Sequence, residues 1–175
     1  MLITNKFHVF GHLTIRVVDG RSGKTKQLIE TPNLIVNGTK DVLCGLLCHE
    51  NFDRYQLWGI GAGISGDTAV VSQTDLQGAE NKRFKKKYDT GGRTYGESGL
   101  IILKMVMGLN EGNILSTDDY YMEAGLFSRG DVNWEYSPPD TITNSKMLAR
   151  QLHAPIHKNE TISLEYTWRI QIAIS

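Results

Sequence analysis

The residues Gly61-Ala62-Gly63-Ile64-Ser65-Gly66 match the G-x-G-x-x-G string that cradles a dinucleotide pyrophosphate, and they follow a segment that reads as a strand. That chemistry needs the third glycine to open a helix, whose N–H groups hold the phosphates, and an acidic residue about 20 positions on to hold the ribose. Here Asp67-Thr68 and Ser72-Gln73-Thr74-Asp75 follow without an apolar helical pattern, and Asn81-Lys82-Arg83 stands where the acid belongs. The string is read as a glycine loop leaving a crowded strand. Lys82, Arg83, Lys85, Lys86 and Lys87, with Phe84 and Tyr88 among them, combine charge and stacking as single-strand nucleic-acid binders do. Basic and acidic residues number 19 each, so no global field attracts an anionic polymer or membrane surface. The cluster is expected to be a solvated loop, or a patch facing an acidic neighbour such as Asp118-Asp119 of another subunit. Neither a nucleic-acid nor a membrane partner is expected.

His153 and His157 bracket Pro155 and, with Cys44 and Cys48, offer four residues of metal-ligand type, a Cys2His2 set. The two pairs are far apart in sequence and lack the short spacings of a zinc knuckle. Asp118, Asp119 and Glu123 are too few and too irregular for a calcium loop. No serine sits in a G-x-S-x-G elbow, and Arg129-Gly130-Asp131, an adhesion tripeptide, reads as a polar turn. No catalytic residue, metal or cofactor is expected, and the chain is read as non-enzymatic.

The elements that position these residues are mostly strands. Over 161–175, Ile162, Leu164, Tyr166, Trp168, Ile170, Ile172 and Ile174 take every second place, with polar residues between most of them. Successive strand side chains point to opposite faces, so this is one strand, about 45 Å long, with an apolar face. Phe7, Val9, Leu13, Ile15 and Val17 keep the same period, and the turn Asp19-Gly20-Arg21-Ser22-Gly23 leads into a second strand at 25–31, making a hairpin. Between 37 and 49 the apolar repeat changes to three and four, which predicts a helix capped by Asn37 or Thr39. Cys44 and Cys48 are placed on the side of that helix carrying Leu43 and Leu47, as buried, reduced thiols. Further strands are read at 56–62, 100–107 (both faces largely covered), 120–127 and 146–152, with a surface excursion at 131–143 around Pro138-Pro139. With 175 residues, a hydrophobic content of 40% and no run long enough to span a bilayer, the chain is read as one domain over 1–175. Its amino terminus lacks a basic head followed by an apolar core, so no secretory signal is expected. The predicted fold is mainly β, an antiparallel, jelly-roll-like sandwich with one inserted α-helix near 37–49.

Four segments of the carboxy-terminal half go further than patterning. Glu123-Ala124-Gly125-Leu126-Phe127 is followed by Met147-Leu148-Ala149-Arg150, by Pro155-Ile156-His157-Lys158, and by Trp168-Arg169-Ile170. This progression resembles that of a family of small tailed-bacteriophage virion proteins found in tail-fibre, baseplate and other surface positions, with Met147-Leu148 where a Leu-Phe pair is more usual. Asn33-Leu34-Ile35-Val36-Asn37-Gly38, Gly59-Ile60-Gly61-Ala62-Gly63 and Asp75-Leu76 are similar to its amino-terminal regions. The resemblance implies an assembly component, located in the virion and in the host cytoplasm during assembly. Its partners would be itself, as a trimer or ring, and other virion proteins of the tail, baseplate or fibre attachment. Capsid or neck decoration and a carbohydrate or host-receptor module using Trp58, Trp134 and Tyr136 are the alternatives.

The residues themselves point to interface and framework roles. Glu123 and Arg150 are charged groups in apolar, strand-like surroundings, where a carboxylate needs a cation, so Arg150, or else Lys158, is expected to neutralise Glu123 within a subunit or across an interface. Gly125, beside Leu126 and Phe127, marks a place where another backbone comes close. Trp168 is expected as a core anchor in mid-strand.

Overall fold

A computed structural model describes residues 7–48, 52–96, 98–131, 136–137 and 145–174. The chain forms two antiparallel sheets facing each other. The first has the order β2-β1-β11-β7-β6, where β1 is Phe7–Asp19, β2 Thr25–Pro32, β6 Arg93–Tyr95, β7 Leu100–Met107 and β11 Ile162–Ile174. The second has the order β3-β10-β8-β4-β5-β9, where β3 is Leu34–Ile35, β4 Leu57–Gly63, β5 Phe84–Lys87, β8 Tyr121–Ser128, β9 Tyr136–Ser137 and β10 Met147–Ile156. The result is the expected β-sandwich. Its outer pairs nest as in a jelly roll, β1 with β11 and β3 with β10.

The long terminal alternation is β11, and it lies between β1 and β7. Its pairing with β1 runs from Phe7 opposite Ile174 to Asp19 opposite Ile162 without a slip, because a one-residue shift would turn both apolar faces to water. Leu13 and Ile15 of β1, Leu103 and Met105 of β7, and Tyr166 and Trp168 of β11 meet Ile60, Ala124 and Leu126 of the second sheet in the main core. Trp168 is fully buried there. Strand β7 is covered on one face rather than both: Lys104 and Val106 are exposed between buried Leu103, Met105 and Met107.

Helix α1, Gly38–Leu47, starts after Asn37, whose side chain makes no cap bond. The Thr39 hydroxyl instead donates to the Leu148 carbonyl at 2.7 Å, tying the helix to β10. Its buried residues are Thr39, Val42 and Gly45. Cys44 and Cys48 are therefore exposed, as free thiols, and Leu47 is 84% exposed. The reading of buried cysteines is corrected: their four-residue spacing aligned them with each other but not with the stripe that faces the sheets. A second helical turn, α2, follows at Phe52–Tyr55, and a short 3-10 turn lies at Glu80–Lys82. Of the excursion at 131–143, only residue 131 and strand β9, which pairs with β5, are described. Trp134 lies outside the described residues. No helix among those described is long and apolar enough to cross a membrane.

Candidate functional site: two loops held by buried charges

The second sheet is buried on both faces. Ala124 and Leu126 of β8 point into the sandwich, while Phe127 joins Leu76, Trp58, Val36 and Met147 in a separate cluster. Glu123, Gly125 and Phe127 share this second face by the period of two. The segment 64–78 lies across it. Gly63 and Gly125 make room: a Cβ on Gly63 would stand 2.4 Å from the Glu123 carboxylate, and one on Gly125 would stand 2.7 Å from the Phe127 ring and 3.1 Å from Leu76. The close approach read at Gly125 thus comes from side chains, not from another backbone. The same crowding accounts for Gly61 and Gly63, the first two glycines of the string that mimicked a dinucleotide fingerprint, but not for Gly66, which has room for a side chain.

Glu123, fully buried, is the anchor. Its Oε1 accepts from the backbone N–H groups of Gly78 at 2.9 Å, Gln77 at 3.0 Å and Ser65 at 3.4 Å. Its Oε2 accepts from Gln77 N–H at 3.1 Å and from Arg150 Nε at 2.7 Å. Arg150, equally buried, continues into the same loop, where Nη1 donates to the Asp67 carbonyl at 2.9 Å and to Gln73 Oε1 at 3.0 Å. One carboxylate and one guanidinium on neighbouring strands therefore hold both ends and the middle of 64–78. A buried ion pair repays its desolvation only when further hydrogen bonds complete its partners. The loop N–H groups complete the carboxylate and the loop takes up Arg150 Nη1, while Arg150 Nη2 has no partner among the described residues. Loop residues 70 and 71, both valines, remain about half exposed.

The basic cluster adds a second layer to this clamp. Its central residues form strand β5, not a solvated loop. Lys85 is buried, with Nζ 2.7 Å from Asp75 and 4.2 Å from the centre of the Phe127 ring. Arg83 Nε donates to the Gly78 carbonyl at 2.7 Å, and its Nη1 lies 3.4 Å from Asp75. Lys86 pairs with Glu111 at 2.7 Å, and Lys82 with Asp119 at 2.6 Å. Asp119 is thus the acidic neighbour expected for this patch, but it belongs to the same chain. Lys87 lies over the ring of Trp58, which is 8% exposed, so this tryptophan has no open face to stack on a sugar.

Lys158 is the fourth buried cation or anion partner of this kind, and it lies apart from Glu123. Its Nζ donates to Asn113 Oδ1 at 2.7 Å, the Asn159 carbonyl at 2.9 Å and the Leu109 carbonyl at 3.2 Å. All three ammonium protons are taken, and the bends at 109–113 and 158–159 are joined. Burial pulls the amine down to about 8, against a smaller opposing pull from Glu111. The Ile114 N–H donates to the Lys158 carbonyl at 2.8 Å, and beyond it Leu115 is 97% exposed. The two clamped loops meet at an open cleft of about 340 Å³, lined by Ile64 from one and 113–116 from the other.

Among the described residues no three His, Cys, Asp or Glu side chains come together as a metal site. His153 is half-buried beside Ala154, whose carbonyl lies 2.9 Å from Nδ1, and burial pulls the imidazole below its ordinary range. The sequence reading named Glu123, Arg150, Gly125 and Phe127 but missed their common object, the loop 64–78. The one available signal was the run Glu123-Ala124-Gly125-Leu126-Phe127, which has no exposed phase and so announces a strand covered twice. No protein-family profile, curated protein or solved structure matches the chain.

Proposed function

We propose that this protein is a non-enzymatic structural component of a tailed phage particle, one that self-associates and docks on other virion proteins in the tail, baseplate or fibre-attachment region. The observation that carries the reading is the use made of its buried charges. Glu123, Arg150, Lys85 and Lys158 all spend their hydrogen bonds and ion pairs on holding surface loops in one shape. Such loops present apolar side chains, Val70, Val71 and Leu115, on a backbone that loses little freedom when covered by a partner. Preorganised, half-apolar loops suit docking by shape complementarity, and Glu123, Arg150 and Lys158, which belong to the motifs that carry the family resemblance, are among the residues that fix them.

The test has two parts. Light scattering on the purified full chain, at micromolar concentration and two salt levels, is expected to give a trimer or larger closed ring, and a monomer in both salts removes self-association from the reading. Sedimentation of phage particles from a lysate that produces the protein is expected to carry it down at a fixed copy number. Recovery only in the soluble fraction overturns the virion assignment. The double variant Val70→Asp/Val71→Asp is expected to leave melting unchanged and to abolish recovery with particles.

A further inference from the structure

Strand β2 is the outermost strand of the first sheet and has no partner on its far side among the described residues. The pairing of β1 with β2 fixes which of its backbone groups are turned outward. Asn33 N–H donates to the Gly11 carbonyl at 3.1 Å, so Gly11 turns its backbone toward β2. Alternation along β1 places Leu13, Ile15 and Val17 in the same orientation, opposite Thr31, Ile29 and Gln27. The N–H and C=O groups of Leu28 and Glu30 then point to the open edge. An edge of this kind is a template for another strand.

The side chains on that edge are self-complementary. Leu28 is 57% exposed in the middle of the strand, with Lys26 two residues before it and Glu30 two residues after. We propose that two copies of the chain pair their β2 strands antiparallel about a two-fold axis through Leu28, joining their first sheets into one ten-stranded sheet. In this register Leu28 faces Leu28 of the second copy as a hydrogen-bonded pair, and the side chain of Lys26, at the bulge that ends the ladder, lies beside Glu30 of the other chain at both ends. Opposite charges directly across a ladder attract, and an isologous contact meets this requirement twice. Lys26 already reaches Asp19 at 2.7 Å and keeps a half-exposed side chain, so it can bridge both carboxylates.

The ends of the edge limit the pairing. The β1·β2 register passes from Val17 opposite Gln27 to Val18 opposite Thr25, a bulge that leaves Lys26 without a partner on β1, and Pro32 has no N–H to give. Bulges and prolines close edges against indefinite growth, so the usable backbone template is the short stretch 27–31 and the product is a closed pair rather than a fibre. This contact goes beyond the docking loops: it uses the opposite sheet and needs no particle.

Sedimentation equilibrium of the full chain at micromolar to submillimolar concentration is expected to show a reversible doubling of mass with concentration, the closed ring of the proposed function pairing through β2 with a second ring, or the free chain with a second chain. Glu30→Lys, which sets Lys26 against a lysine, is expected to weaken it about tenfold, and the swap Lys26→Glu/Glu30→Lys to recover it. Facing residues of a hydrogen-bonded pair have Cα atoms about 5.5 Å apart, within disulfide range. In a Cys44→Ser/Cys48→Ser background, Leu28→Cys is therefore expected to form a covalent dimer on mild oxidation, and Gln27→Cys is not. A monomer at every concentration, an association indifferent to Glu30→Lys, or equal cross-linking at 27 and 28 overturns the inference. Each of these results leaves the particle-recovery test of the proposed function standing.

Discussion

Glu123 has no water to fall back on, so the arginine and the backbone N–H groups around it carry its full charge. Replacing Arg150 by methionine keeps the volume and strands the carboxylate, a change expected to cost about 3–5 kcal/mol. Urea unfolding checks this through a lower midpoint at unchanged slope, and a loss below about 1 kcal/mol would mean that the loop opens to admit water. Tyr166 presents the reverse case. Its hydroxyl is buried without a hydrogen-bond partner among the described residues, and burial pushes the phenol far above its ordinary range. Tyr166→Phe is expected to hold stability or raise it by up to about 1 kcal/mol. Lys158 supplies a pH dependence. Its amine titrates near 8 in the fold and at the ordinary 10.5 in the unfolded chain. Between those values the unfolded state binds more protons, so stability rises with pH, by no more than about 1.4 kcal/mol per unit. Lys158→Met removes that slope, and unfolding midpoints from pH 7 to 10 measure it. Embedded charges were legible as needing partners because their neighbours were apolar. Lys85 was not, because five basic residues in one stretch look alike until a strand decides which of them point inward.

Strands announce themselves by period, and β1 and β11 lie close to where the alternation puts them, while β10 runs four residues beyond the strand read at 146–152. Faces are less legible. The helix pattern gave α1 its span, but its position over the sheets is set by Thr39, Val42 and Gly45, leaving both cysteines outside. An aromatic disulfide reagent is therefore expected to titrate Cys44 and Cys48 in the native protein at the rate of free thiols. Reaction only after denaturant would restore the buried reading. The same asymmetry separates Trp168→Ala, expected to cost about 3–5 kcal/mol, from Leu47→Ala, expected within about 0.5 kcal/mol, as thermal melts would show. The loop 64–78 was legible only as a loop. Its path over the second sheet depends on N–H groups at 65, 77 and 78, and backbone donors leave no trace in side-chain pattern.

At the scale of the molecule, the sandwich class followed from many short alternating segments, whereas sheet order did not, because a strand's period says nothing about its neighbour. The consequential pairing is β11 between β1 and β7. That central strand also follows every other strand of its sheet along the chain. Until it emerges, β1 and β7 have no common partner, and the face they share with the main core stays open to water. The contact separations are among the longest the chain allows, since Phe7 pairs with Ile174, and topologies dominated by such distant pairings fold in milliseconds to seconds rather than microseconds. The first sheet therefore closes only once β11 has been made. A nascent chain stalled before β11 would remain protease-sensitive throughout its first sheet, and extension through β11 would protect both sheets together.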